Sequence, residues 1–250
     1  MLLPHITKTQ QTILLLLYRF RFMDRIQIQT LLHNPDIKNI NTWLKDLYDK
    51  NYIGRIVNTD SKVNITPTIY FIGLNGIRYL KTRKECEKTY IKKLYREKDK
   101  SKQFINRCLF IANIYLNLLK KYSSPNVAFY TQSDFKQNAV IRDIQPDFAF
   151  KKNGEDRFTV VELFKENMPR YAIRSRIQNY LNFFTEGEWI INEKPPFIFF
   201  ACLSEAMKKY IQRYAKNAME EMDIEVIDFI VATYQEMQNL DLERVKGEKE

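Results

Sequence analysis

The sequence predicts an α/β protein of the α+β kind, in which a helical connector joins two different domains. In the first fifty residues apolar side chains recur at helical spacing, and two strand-like runs separated by a polar turn follow them. Beyond residue 100, short β-type segments alternate with helices, which is the order of a mixed sheet covered by helices. At 250 residues the chain is long enough for two domains that each bury a core.

The excess positive charge of the chain lies entirely in its first hundred residues. Residues 1–100 carry 19 Lys and Arg against 9 Asp and Glu, whereas residues 101–250 carry 21 of each kind. Such a field attracts polyanions and speeds their capture. No apolar run approaches the ~20 residues of a membrane-spanning helix, and the start lacks the basic region and cleavage site of a signal peptide. We therefore expect a cytoplasmic protein that binds nucleic acid and not a membrane.

The cysteines predict neither a disulfide framework nor a zinc site. Cys86, Cys108 and Cys202 are far apart, form no C-x-x-C pair, and have no histidine at a ligand spacing. We expect reduced thiols, two of them facing a core.

Three helices are predicted before residue 51. Thr7 or Thr9 can cap a helix that ends near residue 22, and Asp24 can cap a second helix over residues 25–32. A turn over residues 33–36 then leads into a third helix over residues 37–50. The third helix has apolar residues at the spacing of a buried face: Ile37, Ile40, Leu44 and Leu47.

The opposite face of the third helix is polar. Its long and amide side chains could bond base edges or phosphates in a DNA major groove: Lys38, Asn41, Thr42 and Lys45. An ordinary solvated face would have the same composition, and Asp46 and Asp49 at its far end fit that alternative.

A β-hairpin is predicted directly after the third helix. Residues 52–57 and 65–72 have strand composition and flank a polar turn. Arg55, Lys62 and Asn64 would then lie near the backbone of bound DNA. Three helices, this hairpin and the positive charge together predict a winged helix-turn-helix over residues 1–82 that binds double-stranded DNA. A winged helix that docks another protein is the alternative.

A basic connector is predicted over residues 83–101. Nine Lys and Arg and four acidic residues fall between positions 81 and 100, with few Gly or Pro, which favours helix over a flexible tether. Several apolar side chains there could pair with a second copy of the chain, as in a homodimer, or pack on either domain: Tyr90, Ile91, Leu94 and Tyr95.

The second domain is predicted over residues 102–232, and a polar, fraying tail over residues 233–250. Its predicted elements are, in chain order, a helix at 103–122, strands at 127–130, 144–150 and 158–164, a helix at 170–184, a strand at 197–202, a helix at 204–221 and a strand at 224–230.

Two carboxylates lie within the predicted strands. Asp147 follows Pro146 at the start of one strand, and Glu162 interrupts the apolar run of the next. A carboxylate in a central strand is costly to bury without a partner. Both could reach one edge of the sheet, where a divalent cation could bridge them.

Three arginines follow Glu162 at the start of the next predicted helix. Arg170, Arg174 and Arg176 could contact phosphate, or they could neutralise Glu162 and Glu166.

The element order and the spacing from Pro146-Asp147 to Glu162 resemble the restriction-endonuclease-like nuclease fold. The resemblance implies Mg²⁺ bound by Asp147 and Glu162, and a lysine two residues after the glutamate that assists the attacking water. That position is Phe164, and Lys165 comes one residue later, where strand alternation directs it away from Glu162. We therefore expect a domain without catalysis or cofactor. A Mg²⁺-dependent DNA endonuclease that uses Lys165 is the alternative.

The whole arrangement resembles the replication-relaxation family of plasmid, phage and conjugative-element proteins. The resemblance implies a DNA-binding protein of a mobile element that acts in replication, transfer or transcription control. The motifs that carry it are residues 69–76 with Tyr79-Leu80, residues 145–150, residues 160–164 and residues 176–180.

Overall fold

The chain forms two compact units, residues 1–120 and residues 121–250. Among the described residues there are ten α-helices and two β-sheets, one of three antiparallel strands and one of five mixed strands, which confirms the predicted α/β class. None of the described helices is long and apolar enough to cross a lipid bilayer. The computed structural model describes residues 3–57, 67–122, 126–137, 139–186, 195–224 and 227–239.

The first unit combines a small sheet with six helices among its described residues. Its elements are α1 (Lys8–Phe20), β1 (Met23–Asp24), α2 (Arg25–Leu31), α3 (Ile37–Asp49), β2 (Ile53–Ile56), β3 (Ile69–Ile72), α4 (Leu74–Leu80), α5 (Lys88–Lys93), a 3-10 helix (Leu94–Asp99) and α6 (Lys102–Tyr122).

Reciprocal capping fixes the starts of α1 and α2. The Thr7 hydroxyl accepts the Gln10 N–H, and the Gln10 side chain accepts the Thr7 N–H. Asp24 and Gln27 repeat the arrangement at α2. Each box satisfies two backbone donors that a helix start otherwise leaves unpaired, and the predicted caps at Thr7 and Asp24 are confirmed.

The buried face of α3 is shorter than predicted. Ile40, Leu44 and Leu47 are buried, but Ile37 is 50% exposed, so its predicted place in the buried stripe is wrong. Ile37 is the first residue of the helix, and the stripe that packs on the unit's core begins one turn later.

The predicted hairpin strands pair with each other. β2 and β3 are antiparallel, with Ile53 opposite Ile72 and Ile56 opposite Ile69, and β1 adds to the other side of β3. The predicted connecting turn lies at residues outside the described part of the chain. The small sheet therefore follows α3 directly, and its strands carry Arg55 beside that helix.

The connector packs within the first unit. Tyr90, Ile91 and Leu94 are buried, and the Tyr90 ring meets the Tyr18 ring of α1 edge-on at 5.2 Å between centroids. The sequence left open whether these side chains pair with a second copy of the chain or pack on either domain. The structure supports packing on the first domain.

Helix α6 belongs to the first unit, although the sequence prediction placed it in the second domain. Ile105 and Cys108 form a buried cluster with Phe22. The Gln27 side chain of α2 donates to the Leu109 carbonyl at 2.8 Å and to the Asn113 side chain at 2.7 Å. The division between units falls after residue 120, not after residue 101, because apolar residues of α6 pack against Phe22 and the small sheet and Gln27 of α2 bonds to α6.

The second unit is a sheet with helices between its parallel strands. Its elements are β4 (Val127–Thr131), a 3-10 helix (Phe135–Gln137), α7 (Ala139–Ile144), β5 (Phe148–Lys152), β6 (Thr159–Leu163), α8 (Arg170–Glu186), β7 (Phe197–Cys202), α9 (Glu205–Glu221), β8 (Phe229–Thr233) and α10 (Tyr234–Asn239).

The large sheet has the strand order β4-β5-β6-β7-β8. The first two pairings are antiparallel and the last two are parallel, so the predicted mixed sheet is confirmed. Helices α8 and α9 make the crossovers between the parallel strands. Every residue of β6 and β7 is buried, as expected for central strands covered on both faces.

Three predicted boundaries of the second unit are wrong. Ile144 ends helix α7, so β5 begins only at Phe148, and β8 begins at Phe229. Residues 234–239 of the predicted tail form α10, where Met237 is buried and Glu236 pairs with Lys208 at 2.6 Å. These tertiary contacts hold a helix that its polar composition alone did not predict. Residues 240–250 lie outside the described part.

Candidate nucleic-acid interface and carboxylate pair

The outer face of α3 is exposed and polar. Its four predicted contact residues, which follow one another along a single helix face, are all exposed: Lys38, Asn41, Thr42 and Lys45. Asp36 caps the helix, since its carboxylate accepts the Lys38 N–H at 2.8 Å. This cap and the buried stripe of α3 hold the face in a fixed orientation.

The Thr42 hydroxyl is already engaged. It donates to the Lys38 carbonyl of its own helix at 2.9 Å. Thr42 therefore presents a methyl group and an acceptor oxygen to a ligand, and not a free donor. Lys38, Asn41 and Lys45 are the donors of the face.

Asp46 is turned away from this face toward α1. Its carboxylate oxygen accepts from the Gln10 side chain at 2.6 Å and from Lys50 at 2.8 Å. The hydrogen bond from Lys50, and then that from Gln10, lower the pKa of Asp46. Asp46 is thus a neutralised structural carboxylate, which removes one of the two acidic groups that argued for an ordinary surface.

Arg55 extends the polar face from the helix onto the sheet. Its side chain is exposed, and the guanidinium lies 4.3 Å from the centre of the Tyr48 ring of α3. The ring holds the cation in place without neutralising it. The other two predicted contacts, Lys62 and Asn64, lie outside the described residues.

The difference in net charge between the two units is larger than the difference between residues 1–100 and residues 101–250. The first unit carries 22 Lys and Arg against 9 Asp and Glu, and the second carries 18 against 21. The first unit is therefore strongly basic and the second slightly acidic.

In the second unit, Glu162 is buried beside an arginine. Its Oε2 accepts from Arg176 at 2.8 Å and from the Tyr180 hydroxyl at 3.0 Å. Burial alone would lower the pKa of Arg176, but the hydrogen bond and charge of Glu162 raise it. Burial, together with the nearby Glu162 charge, raises the pKa of Tyr180, so the phenol stays protonated and can donate.

Arg176 also holds the chain before β5. It donates to the Gln145 carbonyl at 2.7 Å, and Gln145 has a left-handed backbone with φ of 49°. Of the three arginines that could neutralise Glu162 according to the sequence, Arg176 is the one that pairs with it. The second donor, Tyr180, was expected only as a core side chain, although its i, i+4 spacing from Arg176 on α8 places both on one face.

Asp147 joins two strands of the large sheet. Its carboxylate accepts the Leu163 N–H of β6 at 2.7 Å, and its own N–H donates to the Val161 carbonyl at 2.9 Å. The side chain is 5% exposed. A charge-assisted bond to a backbone donor makes Asp147 part of the strand pairing.

Lys165 is exposed, whereas Asp147 and Glu162 are buried. Phe164, at the position where the nuclease pattern has lysine, packs in the core with its ring 5.6 Å from that of Phe200. The strand β6 has ended before Lys165, which follows it on the surface.

One oxygen of each carboxylate already has a partner within the fold. One Glu162 oxygen is already bonded to a guanidinium, and a divalent cation there would meet the fixed positive charge of Arg176. The Asp147 oxygen bonded to Leu163 supports the sheet.

Comparison of the chain with models of protein families, with curated proteins and with solved structures finds no match.

Proposed function

We propose that the first unit is a winged helix-turn-helix that binds double-stranded DNA with α3 in the major groove. One observation carries the proposal: the exposed donors of α3 share one face, and Asp46 at the far end of the helix is turned toward α1 and paired with Lys50. Amide and amino groups on a helix face are the groups that read base edges.

Two further features support the proposal. Arg55 lies on the adjoining strand, at the place from which a wing residue would contact a phosphate. The strongly positive charge of the first unit supplies the non-specific attraction that duplex binding needs.

The second unit contributes structure and not strand cleavage in this proposal. The buried pairing of Glu162 with Arg176 and Tyr180 favours this role over the nuclease alternative. A plasmid-nicking assay with Mg²⁺ and Mn²⁺ separates them, and we expect no cleavage. Metal-dependent nicking that both Asp147→Ala and Glu162→Ala abolish would establish the nuclease instead.

The role in replication, transfer or transcription control of a mobile element rests on the family resemblance alone. It stays a prediction, as does the homodimer.

Reversal of two charges on α3 tests duplex binding. The variant Lys38→Glu/Lys45→Glu should lose more than about tenfold in affinity for a labelled random-sequence duplex at about 0.1 M salt, because it places like charge against phosphate. The matched control is Lys88→Glu/Lys92→Glu, which reverses two exposed lysines of α5.

Equal losses in the two variants would show that only net charge matters, and would reject the α3 interface. A parent protein without duplex affinity would favour the protein-docking alternative.

A further inference from the structure

A groove of about 440 Å³ lies in the second unit, between the start of α8 and the outer face of α9. Its walls are mainly basic and aromatic. We call it the α8–α9 groove, and its main lining residues are Arg170, Lys209, Tyr210, Arg213, Tyr214 and Asn217.

The cations of the groove are exposed and are not paired with any carboxylate among the described residues. Arg170, Lys209 and Arg213 line the groove, and none of its lining residues is acidic. Glu205 and Glu220 of α9 lie outside this lining, each near a lysine that is also outside it, at 3.9 Å from Lys208 and 3.8 Å from Lys216 respectively. The groove therefore holds local positive charge on a unit that is slightly acidic as a whole.

Two tyrosines line the groove beside these cations. Tyr210 and Tyr214 are half-buried and pack against the core of the unit on one side, which fixes their rings. The Arg170 guanidinium lies 5.1 Å from the centre of the Tyr210 ring. Fixed rings beside unpaired cations offer flat stacking surfaces within reach of a phosphate chain.

The groove is longer than a single phosphate group requires. Its lining on α9 runs from Ala206 to Asn217, which corresponds to about 16 Å of helix. Lys209 and Arg213 form one i, i+4 row along α9, and Tyr210 and Tyr214 form a second row beside it. A flexible strand with phosphates along one side and rings along the other matches these two rows.

We propose that the α8–α9 groove binds single-stranded nucleic acid. The cations hold the phosphate backbone, and unpaired bases stack on the Tyr214 ring and on the Arg170 guanidinium that covers Tyr210. In a duplex the bases are stacked on one another, so their faces cannot meet these surfaces. The groove and the proposed duplex interface share no residue, since they belong to different units.

The test measures binding of labelled oligo-dT and oligo-U to the full chain carrying Lys38→Glu/Lys45→Glu, so that α3 contributes little. In that background Arg213→Glu should weaken oligonucleotide binding about tenfold and reduce the salt dependence, because a phosphate contact contributes a slope of about 0.7 for single strands. Lys216→Glu is the matched control, since it reverses an exposed charge three residues away on the same helix and outside the groove.

Stacking is tested separately with Tyr214. The variant Tyr214→Leu should lose about tenfold in affinity and Tyr214→Phe should retain it, because the ring and not the hydroxyl meets the base. Thermal unfolding checks that both variants fold as the parent does.

The proposal is overturned if Arg213→Glu binds as well as Lys216→Glu, or if Tyr214→Phe loses as much as Tyr214→Leu. It is also overturned if pyrophosphate competes as well as the oligonucleotide, since a small phosphate ligand would then suffice. Tighter binding of oligo-dT would indicate DNA as the ligand, and tighter binding of oligo-U would indicate RNA. These outcomes do not depend on whether α3 binds a duplex, which the parent's duplex affinity reports.

Discussion

At the scale of single residues, a buried ion pair ties the connector to α1. Glu97 is 1% exposed, and its Oε1 accepts from Arg21 Nη2 at 2.6 Å and from Nε at 2.9 Å. Arg21 follows the end of α1 with a left-handed φ of 68°, and its guanidinium lies 4.5 Å from the Phe104 ring centre. A residue distant in sequence thus fixes the end of the first helix.

Removal of Glu97 should destabilise the first unit strongly. Glu97→Ala leaves the Arg21 cation buried without its partner, which costs about 3–5 kcal/mol in free energy of unfolding. Urea unfolding measures the difference. A loss below about 1 kcal/mol would mean that the pair behaves like an exposed one.

The contribution of Glu97 to the free energy of unfolding depends on pH, and its pKa shift fixes the sign. Burial raises the pKa of Glu97 above its ordinary 4.5, and Arg21 opposes the shift only in part. The folded state therefore binds the proton more tightly than the unfolded state, so stability from this group is present below pH 4.5 and is lost as the pH rises through the raised pKa. The free energy of unfolding of the parent minus that of Glu97→Gln should fall as the pH rises from 4.5 through the raised pKa. A difference that rises with pH would contradict a raised pKa for Glu97.

At the scale of elements, one ion pair joins α8 to β6. Arg176→Ala should destabilise the second unit by about 3–5 kcal/mol, because Glu162 stays buried without its cation. The double variant Glu162→Gln/Arg176→Met should recover most of the loss, since it removes both charges. Unfolding curves of the three proteins form the measurement, and a double variant less stable than Arg176→Ala would refute a mainly electrostatic pairing.

Local chemistry made several elements predictable. The capping residues Thr7 and Asp24 act on donors three residues away, so sequence alone identifies them. Glu162 was recognisable because a carboxylate interrupts an apolar strand. Its partner was predictable only as one of three arginines, because the choice of Arg176 depends on how α8 packs across the sheet.

Tertiary packing decided the elements that sequence reasoning misplaced. The apolar stripe of α6 fits either core, and only its contacts with Phe22 and Gln27 assign it to the first unit. Helix α10 is polar, and it depends on Met237 and on the pairing of Glu236 with Lys208. The exposed donors of α3 were predicted, whereas the withdrawal of Asp46 toward Gln10 required the neighbouring helix.

At the scale of the whole molecule, the boundary after residue 120 predicts which fragment folds. A fragment of residues 1–120 should unfold cooperatively and retain the parent's duplex affinity, because it keeps α6 as far as Lys120, including Ile105 and Cys108. A fragment of residues 1–101 lacks Ile105 and Cys108 and exposes Phe22, so it should be largely unfolded. Circular dichroism and anisotropy measure both properties. Equal stability of the two fragments would contradict the boundary after residue 120 and favour the one predicted after residue 101.

The buried thiols make site-directed chemistry on α3 selective. Burial raises the pKa of Cys86 and of Cys202 to about 11 and that of Cys108 to about 12. A cysteine introduced at an exposed position is therefore the thiol that reacts at neutral pH.

An iron chelate attached at Asn41→Cys tests the account most directly. If α3 lies in the major groove, the chelate should cleave a bound duplex on both strands, while the same chelate at Lys88→Cys, on the exposed side of α5, should cleave it far less. Cleavage from residue 88 as strong as from residue 41, with the duplex demonstrably bound, would contradict the placement of α3 on DNA.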